Sequence, residues 1–212
     1  MKYRMRGSEH MEKFVITINR QYASRGREIA RRLSELLNVP CYDEELIEEA
    51  AWELKLSEKY VGEKEETAVR KPTPVTRIPI ILGKGSSNTQ DDIFEAQATF
   101  MKKIVKEESC VIVGRCSDYI LANHKNALHI YIFAEYKERL KYCIETLGCT
   151  AQESRKKLRE VDELRDSYSI HYSGYLAEDK EYKDILIDSS TLGVEKTAQY
   201  LAIAAKMKFG LE

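Results

Sequence analysis

The chain has 212 residues, 43% of them hydrophobic, and a formal net charge of −1. That is enough apolar material for a full core, and the near-neutral balance excludes a bulk electrostatic drive toward nucleic acid or a membrane surface. No apolar run approaches the roughly 20 residues of a membrane span, and the opening MKYRMRGSEHMEKF has charges but no apolar secretory core, so a flexible leader over residues 1–12 and one cytoplasmic domain over 13–212 are expected.

Phe14 to Ile18 is a short apolar, β-branched run, which predicts a strand covered on both faces. Ile29, Leu33, Leu36 and Leu37 are spaced to form one apolar face, with Arg31, Arg32 and Glu35 on the other side, so a helix follows. Between them lies NRQYASRGRE. A loop entering a helix leaves free backbone N–H groups and a partial positive charge, and both favour phosphate. The segment also fits an ordinary strand–turn–helix unit without a ligand. A full phosphate loop reads GxxxxGK[ST], whose glycines let the backbone approach phosphate and whose Lys and hydroxyl reach the terminal phosphates and Mg²⁺. Here Gly26 is the glycine that remains, Arg27 stands where Lys is expected, and Glu28 stands near the hydroxyl position. Ala23 and Arg25 carry a Cβ, which makes positive φ harder to adopt. The Arg27 guanidinium suits phosphate oxygens, and Ser24 offers a hydroxyl.

Val39 to Tyr42 reads as a second strand ending at Asp43, and ELIEEAAWELKL, from Glu44, as a helix. Residues 57–79 are rich in charge and hold three of the four prolines, which fits a mobile helix-and-loop segment. Residues 83–92 read as a loop, and residues 91–108 return to helical spacing with Ile93, Phe100, Ile104 and Val105. Lys84, in GKGSS, imitates a phosphate-loop fragment, but the first glycine and its spacing are wrong. Cys110–Val113, Leu128–Phe133 and Asp184–Asp188 are the third, fourth and fifth strands. Two helices separate the last pair, from about 135 to 147 and from 150 to about 168, and Thr150 with Glu153 forms a capping box at the second. VEKTAQYLAIAAKMKF closes the chain as an amphipathic helix. Five cysteines show no CxxC pair, which fits reduced thiols better than a zinc site.

Strands alternating with helices predict an α/β protein with a parallel sheet. Ligands of such sheets bind at the carboxyl ends of the strands. Asp43, Gly114-Arg115 and residues 19–27 all follow strand ends and should meet in one crevice. Arg115 has two readings: an exposed strand-end arginine, or a group pointing into that crevice. On the helix after Thr150, Arg155, Arg159, Asp162 and Arg165 share a face. That face is either a solvated, salt-bridged surface or a lid that brings arginines over transferring phosphates.

Taken in order, ITINRQYASRGREIARRL, PCYDEELI, CVIVGRCSDYIL, LHIYIFAEYKERL, KKLREVDELRDSYSIHYSG and YKDILIDSSTLGVE resemble the cytidylate-kinase-like proteins, P-loop relatives of the nucleoside monophosphate kinases. The resemblance covers most of residues 14 to 205. It implies a three-layer P-loop kinase fold: a five-stranded parallel sheet with helices on both faces, a helical acceptor insert over about 44–107 and an Arg-bearing lid over about 150–180. It implies ATP and Mg²⁺, and γ-phosphoryl transfer to a nucleoside monophosphate or similar small acceptor. Ser24, Arg25, Gly26, Arg27 and Glu28 are then the nucleotide-binding loop. Asp43, Arg115 and Asp162 are substrate-binding, and Arg27, Arg115, Arg159 and Arg165 carry the chemistry, with no residue assigned to the metal. The partners expected are a small nucleotide and a second copy of the chain in a homodimer, with no nucleic acid and no membrane. The family's Gly-Ser-Gly-Gly is Ala23-Ser24-Arg25-Gly26 here, and the Asp that follows Gly-Arg is Cys116. Those departures support the other reading, a non-catalytic nucleotide-binding regulator; a scaffold binding no nucleotide is the third.

Overall fold

The computed structural model describes residues 13–47, 49–50 and 87–211. The expected leader, most of the acceptor insert and Lys84 lie outside the described residues. The elements are β1 (Val15–Arg20), α1 (Gly26–Leu37), β2 (Cys41–Tyr42), α2 (Ser87–Glu107) and β3 (Cys110–Val113), then α3 (Ser117–Ile120), β4 (Ala127–Phe133), α4 (Tyr136–Glu145), α5 (Ala151–Ser173), a short 3-10 turn (Lys180–Tyr182), β5 (Ile185–Asp188) and α6 (Ser189–Phe209).

The five strands form one parallel sheet in the order β2-β3-β1-β4-β5. β1 is central because it is apolar on both faces. Its residues alternate between two cores, as a two-residue side-chain period requires. Ile16 and Ile18 join Ile29 and Leu33 of α1 and Leu201 and Ala205 of α6 on one face. Val15 packs on the other face with Met101, Ile104 and Val105 of α2, and with Leu121. Helices therefore cover both faces. The expected helical face of α1 holds: Ile29 and Leu33 are buried, and Leu36 and Leu37 pack beside them.

The strand order puts the ends of β1 and β3 side by side, with the β2 end next to β3. The sequence expectations hold for all five strands, with β1 running on to Arg20 and β2 shortened to two residues. The expected loop at 83–92 is corrected: α2 begins at Ser87, so its polar stretch SNTQDD is helical. Polar residues at a helix start carry no apolar period to betray them. The C-terminal helix is interrupted at Gly193, which has φ 71° and ψ 176°, so its continuous part is the expected one.

The capping box at Thr150 is present. The Thr150 hydroxyl accepts from the Glu153 amide at 3.3 Å, and the Glu153 carboxylate accepts from the Thr150 amide at 2.9 Å. Thr150→Ala removes the cap and should cost about 1 kcal/mol of stability. Urea denaturation of the two proteins measures it, and an unchanged midpoint would show that tertiary contacts alone fix this helix start.

Candidate active site

The loop after β1 keeps the backbone of a phosphate loop without its glycines. Ala23 and Arg25 both have φ 60°, in the left-handed region, and Arg25 is the N-cap of α1. Each left-handed non-glycine residue costs roughly 1–2 kcal/mol. The loop holds itself against that cost. Ser24 is buried, and its hydroxyl donates to Gln21 O at 2.9 Å. The Ser189 hydroxyl donates to Ser24 O at 2.7 Å. The Gln21 amide donates to Ile132 O on β4 at 3.0 Å. Gly26 has no room for a side chain, because a Cβ there would lie 2.7 Å from Arg20 Cβ. The first bond of the helix runs from the Ile29 amide to Arg25 O, so the Gly26, Arg27 and Glu28 amides precede the ladder. They are the orphan donors that a helix N-terminus offers to phosphate.

The loop side chains divide. Arg25 turns outward, with Nη2 2.8 Å from Glu28, and its guanidinium lies over the Tyr142 ring. Glu28 also accepts from the Tyr142 hydroxyl at 2.8 Å. These two residues therefore tie α1 to α4. Arg27 points toward the β2 end, 3.9 Å from Asp43, 3.9 Å from Glu44 and 3.5 Å from Glu45. Asp43 is buried, pairs with Arg31 at 3.0 Å and accepts from the Leu46 amide at 3.4 Å, so it also caps the turn that follows.

Arg115 enters the crevice from the β3 end. Gly114, Arg115 and Cys116 are three successive left-handed residues, which turn the chain back sharply. Arg115 Nη2 lies 3.0 Å from Glu44 Oε1, and its guanidinium lies over the Tyr168 ring. Cys116 brings no charge in place of the family's Asp: it is buried, and burial pushes its thiol up to about 12.

Three residues that the sequence did not point to complete the arrangement. Arg20, the last residue of β1, runs buried beneath Gly114, where any Cβ would collide with its Nη1. Its Nη2 donates to Glu44 Oε2 at 3.1 Å. Burial lowers the Arg20 pKa, and Glu44 works against that effect. Glu44 is thus shared by Arg20, Arg115 and Arg27. Burial raises its pKa, but Arg115, Arg20 and Arg165 outweigh that and hold the carboxyl at about 2. The third is Arg139, buried on the inner face of α4 with Cys143, at helical spacing. That i, i+4 pairing with a buried residue was the available signal for Arg139. For Arg20 and Glu44 no sequence signal existed beyond their places at strand ends.

The helix expected to act as a lid lies against the loop. Arg165 donates to Arg20 O at 3.0 Å, its guanidinium faces the Tyr22 ring, and burial followed by the nearby Arg20 lowers its pKa to about 10. Asp162 is corrected: instead of facing substrate beside Asp43, it accepts from the Tyr22 amide at 2.7 Å and pairs with Arg139. Both of its oxygens are used in holding α5 to the loop. Arg159 is corrected too. It is exposed, 4.0 Å from Glu163 on its own helix, and joins none of the crevice arginines. One side of the expected Arg/Asp face is therefore functional in position and the other is solvated.

For nucleotide phosphates the loop amides and the arginines fit. For Mg²⁺ the fit is poor. The Ser24 hydroxyl is spent inside the loop and Asp43 is paired with Arg31. Among the described residues no cluster of His, Cys, Asp or Glu could hold a metal ion. Also among the described residues, no helix is long and apolar enough to cross a membrane.

The model of the cytidylate kinase-like family matches residues 15–191. No curated protein matches the chain. Among solved structures, an uncharacterised protein from Eubacterium ventriosum is 22% identical, with a TM-score of 0.70 over 92% of this chain and 99% of that one. Shikimate kinase from Bacteroides thetaiotaomicron is 11% identical, with a TM-score of 0.52 over 91% of this chain and 98% of that one. At such identities the likeness is one of fold, the α/β arrangement of P-loop kinases. Family and fold together support a kinase-type phosphotransferase and leave the acceptor open.

The left-handed geometry at residue 23 gives a direct test. Ala23→Gly should stabilise the protein by about 1 kcal/mol, because glycine adopts this φ without a Cβ penalty. A raised urea midpoint is the expected result, and a lowered one would mean that the loop does not hold this conformation in solution.

Proposed function

Because the chain belongs to the cytidylate kinase-like family, we propose that it is a nucleotide kinase, transferring the ATP γ-phosphoryl to a nucleoside monophosphate or a similar small acceptor. The observation that carries this reading is the convergence of Arg20, Arg27, Arg115 and Arg165 beside a loop that keeps phosphate-binding backbone at two non-glycine positions. Nothing in the packing of this fold requires four guanidinium groups at one crevice. Anionic substrates do.

In this reading the amides of Gly26, Arg27 and Glu28 hold the β- and γ-phosphates of ATP. Arg115 orients the acceptor phosphate, and Arg27 and Arg165 neutralise charge on the transferring group. An acceptor phosphate oxygen attacks the γ-phosphorus in line, the bond to the bridging oxygen breaks, and ADP leaves with that electron pair. A phosphate oxygen needs no protein base. Mg²⁺ comes in with the nucleotide, neutralising its phosphates, because no side chain here is placed to bind it. Asp43 orients Arg31 and the start of the insert, residues 44–107, and α5 serves as the lid. The setting is cytoplasmic, with all five cysteines free, and the partner is a free nucleotide rather than nucleic acid or membrane. A homodimer is compatible with it.

A second reading, a nucleotide-binding regulator without turnover, draws support from the exposed Arg159 and the inward-turned Ser24 hydroxyl. One assay separates the two. ADP release is measured from ATP and Mg²⁺ with a panel of nucleoside monophosphates, CMP included. The kinase reading expects acceptor-dependent turnover, reduced at least about a hundredfold in Arg27→Ala if that guanidinium serves the transition state. ATP binding with no turnover on any acceptor selects the regulator.

Arg115→Ala addresses the acceptor side. It should weaken acceptor binding by about tenfold or more while changing ATP affinity little, as loss of one charge-assisted contact predicts. Equal losses for both ligands in calorimetric titrations would remove Arg115 from that role.

A further inference from the structure

The crevice already contains an anion, and it belongs to the protein. Glu44 places Oε1 3.0 Å from Arg115 and Oε2 3.1 Å from Arg20, with Arg27 3.9 Å away. Arg20 has no other route to a counter-charge. It is buried, and it reaches Glu44 only by crossing beneath Gly114. The guanidinium groups cannot stand desolvated and close together without a negative partner. We propose that Glu44 is a built-in surrogate for the acceptor's oxyanion: its carboxylate holds the place between Arg20, Arg27 and Arg115 that a phosphate monoester takes, so acceptor binding is an exchange of one anion for another.

The exchange sets specificity. A carboxylate tethered by a short stretch of chain competes at an effective concentration on the order of millimolar. A free monocarboxylate offers the arginines nothing that Glu44 does not already supply. A phosphate monoester brings close to a second charge and three acceptor oxygens. It can satisfy Arg115 and Arg20 and also draw in Arg27, whose distance to Glu44 is too long for a hydrogen bond. Glu44 thereby selects phosphomonoester acceptors against carboxylate ones. The argument rests on the kinase reading only for the name of the incoming group; the exchange itself is an equilibrium property.

The test uses the full chain with inorganic phosphate and acetate as probes, followed by phosphorus NMR and calorimetry. Wild type should bind phosphate weakly and acetate not at all. Glu44→Gln should bind phosphate at least about tenfold tighter, the factor given by about 1.4 kcal/mol of lost competition, and should gain measurable acetate binding. Glu44→Asp keeps the charge, and so protects the fold, but shortens the reach; it should also tighten phosphate. Glu45→Gln deletes the same charge beside Arg27 alone and should give a much smaller gain. Adding Arg115→Ala to Glu44→Gln should abolish the gain, placing the phosphate at this position rather than on the loop. Unchanged or weaker phosphate binding in Glu44→Gln and Glu44→Asp overturns the proposal, and so does phosphate binding by none of the variants. The kinase reading fails separately. Tighter phosphate without any ATP turnover sinks the kinase and keeps the exchange, whereas turnover with unaltered phosphate affinity does the reverse.

Discussion

The pairing of Arg20 with Glu44 is the interaction on which the crevice depends. Arg20 ends the central strand, Glu44 opens the turn after β2, and the guanidinium passes under the β3 turn to reach it. Arg165 of α5 then bonds the Arg20 carbonyl. One residue thus touches elements from four parts of the chain. Its charge cannot be stranded in the interior, since an unpaired buried charge costs several kcal/mol. The positions of β2, the Gly114 turn and α5 are therefore mutually constrained by electrostatics as well as by apolar packing.

The sheet was legible in the sequence because a parallel strand buried on both faces must be apolar throughout. CVIV and the β4 run ALHIYIF say so directly. The crevice was legible in part for a geometric reason: in a parallel sheet every strand ends on the same side, so Asp43, Arg115 and the loop were bound to be neighbours. Which side chain meets which was not legible. Helical spacing placed Arg159, Asp162 and Arg165 on one face, but a face spans about 100°. Within that width Arg165 is nearly buried against the loop and Arg159 stands in water. Arg20 and Glu44 went unnoticed because their partners lie far away in sequence or across a turn, and charge alone marks neither. The Mg²⁺ expectation came from the family alone, and the side chains offered for it turned out to be engaged elsewhere.

The loop shows that a backbone can outlast the residues that usually encode it. A glycine would reach φ 60° without strain, yet Ala23 and Arg25 hold it. The stabilisation comes from outside the loop: β4 receives the Gln21 amide, Ser189 receives the Ser24 carbonyl, and the absence of a Cβ at Gly26 lets Arg20 pack close. Motif matching reads the missing glycines as a missing site. The conformation depends on the surrounding contacts as much as on the motif, and here those contacts are intact.

Two of the protein's own carboxylates stand where phosphates are expected. Asp162 takes the Tyr22 amide in the loop, and Glu44 takes the arginines beside it. Each satisfies donors that would otherwise be costly to bury unpaired. Each is also carried by an element expected to move: Asp162 by α5, Glu44 by the chain entering the insert. A phosphate arriving at the loop competes with Asp162 for an amide and relieves nothing at Arg139, which loses its partner. The energy to break that pair has to come from new contacts made by the ligand. Differential affinity for the two arrangements is then the only source of any closure or opening. A ligand carrying phosphates at both positions displaces both carboxylates, and one carrying a single phosphate displaces one. The ligand-free crevice is held together by the anions it must give up, so the number of phosphates bound at once determines how far the α5 and insert contacts are released.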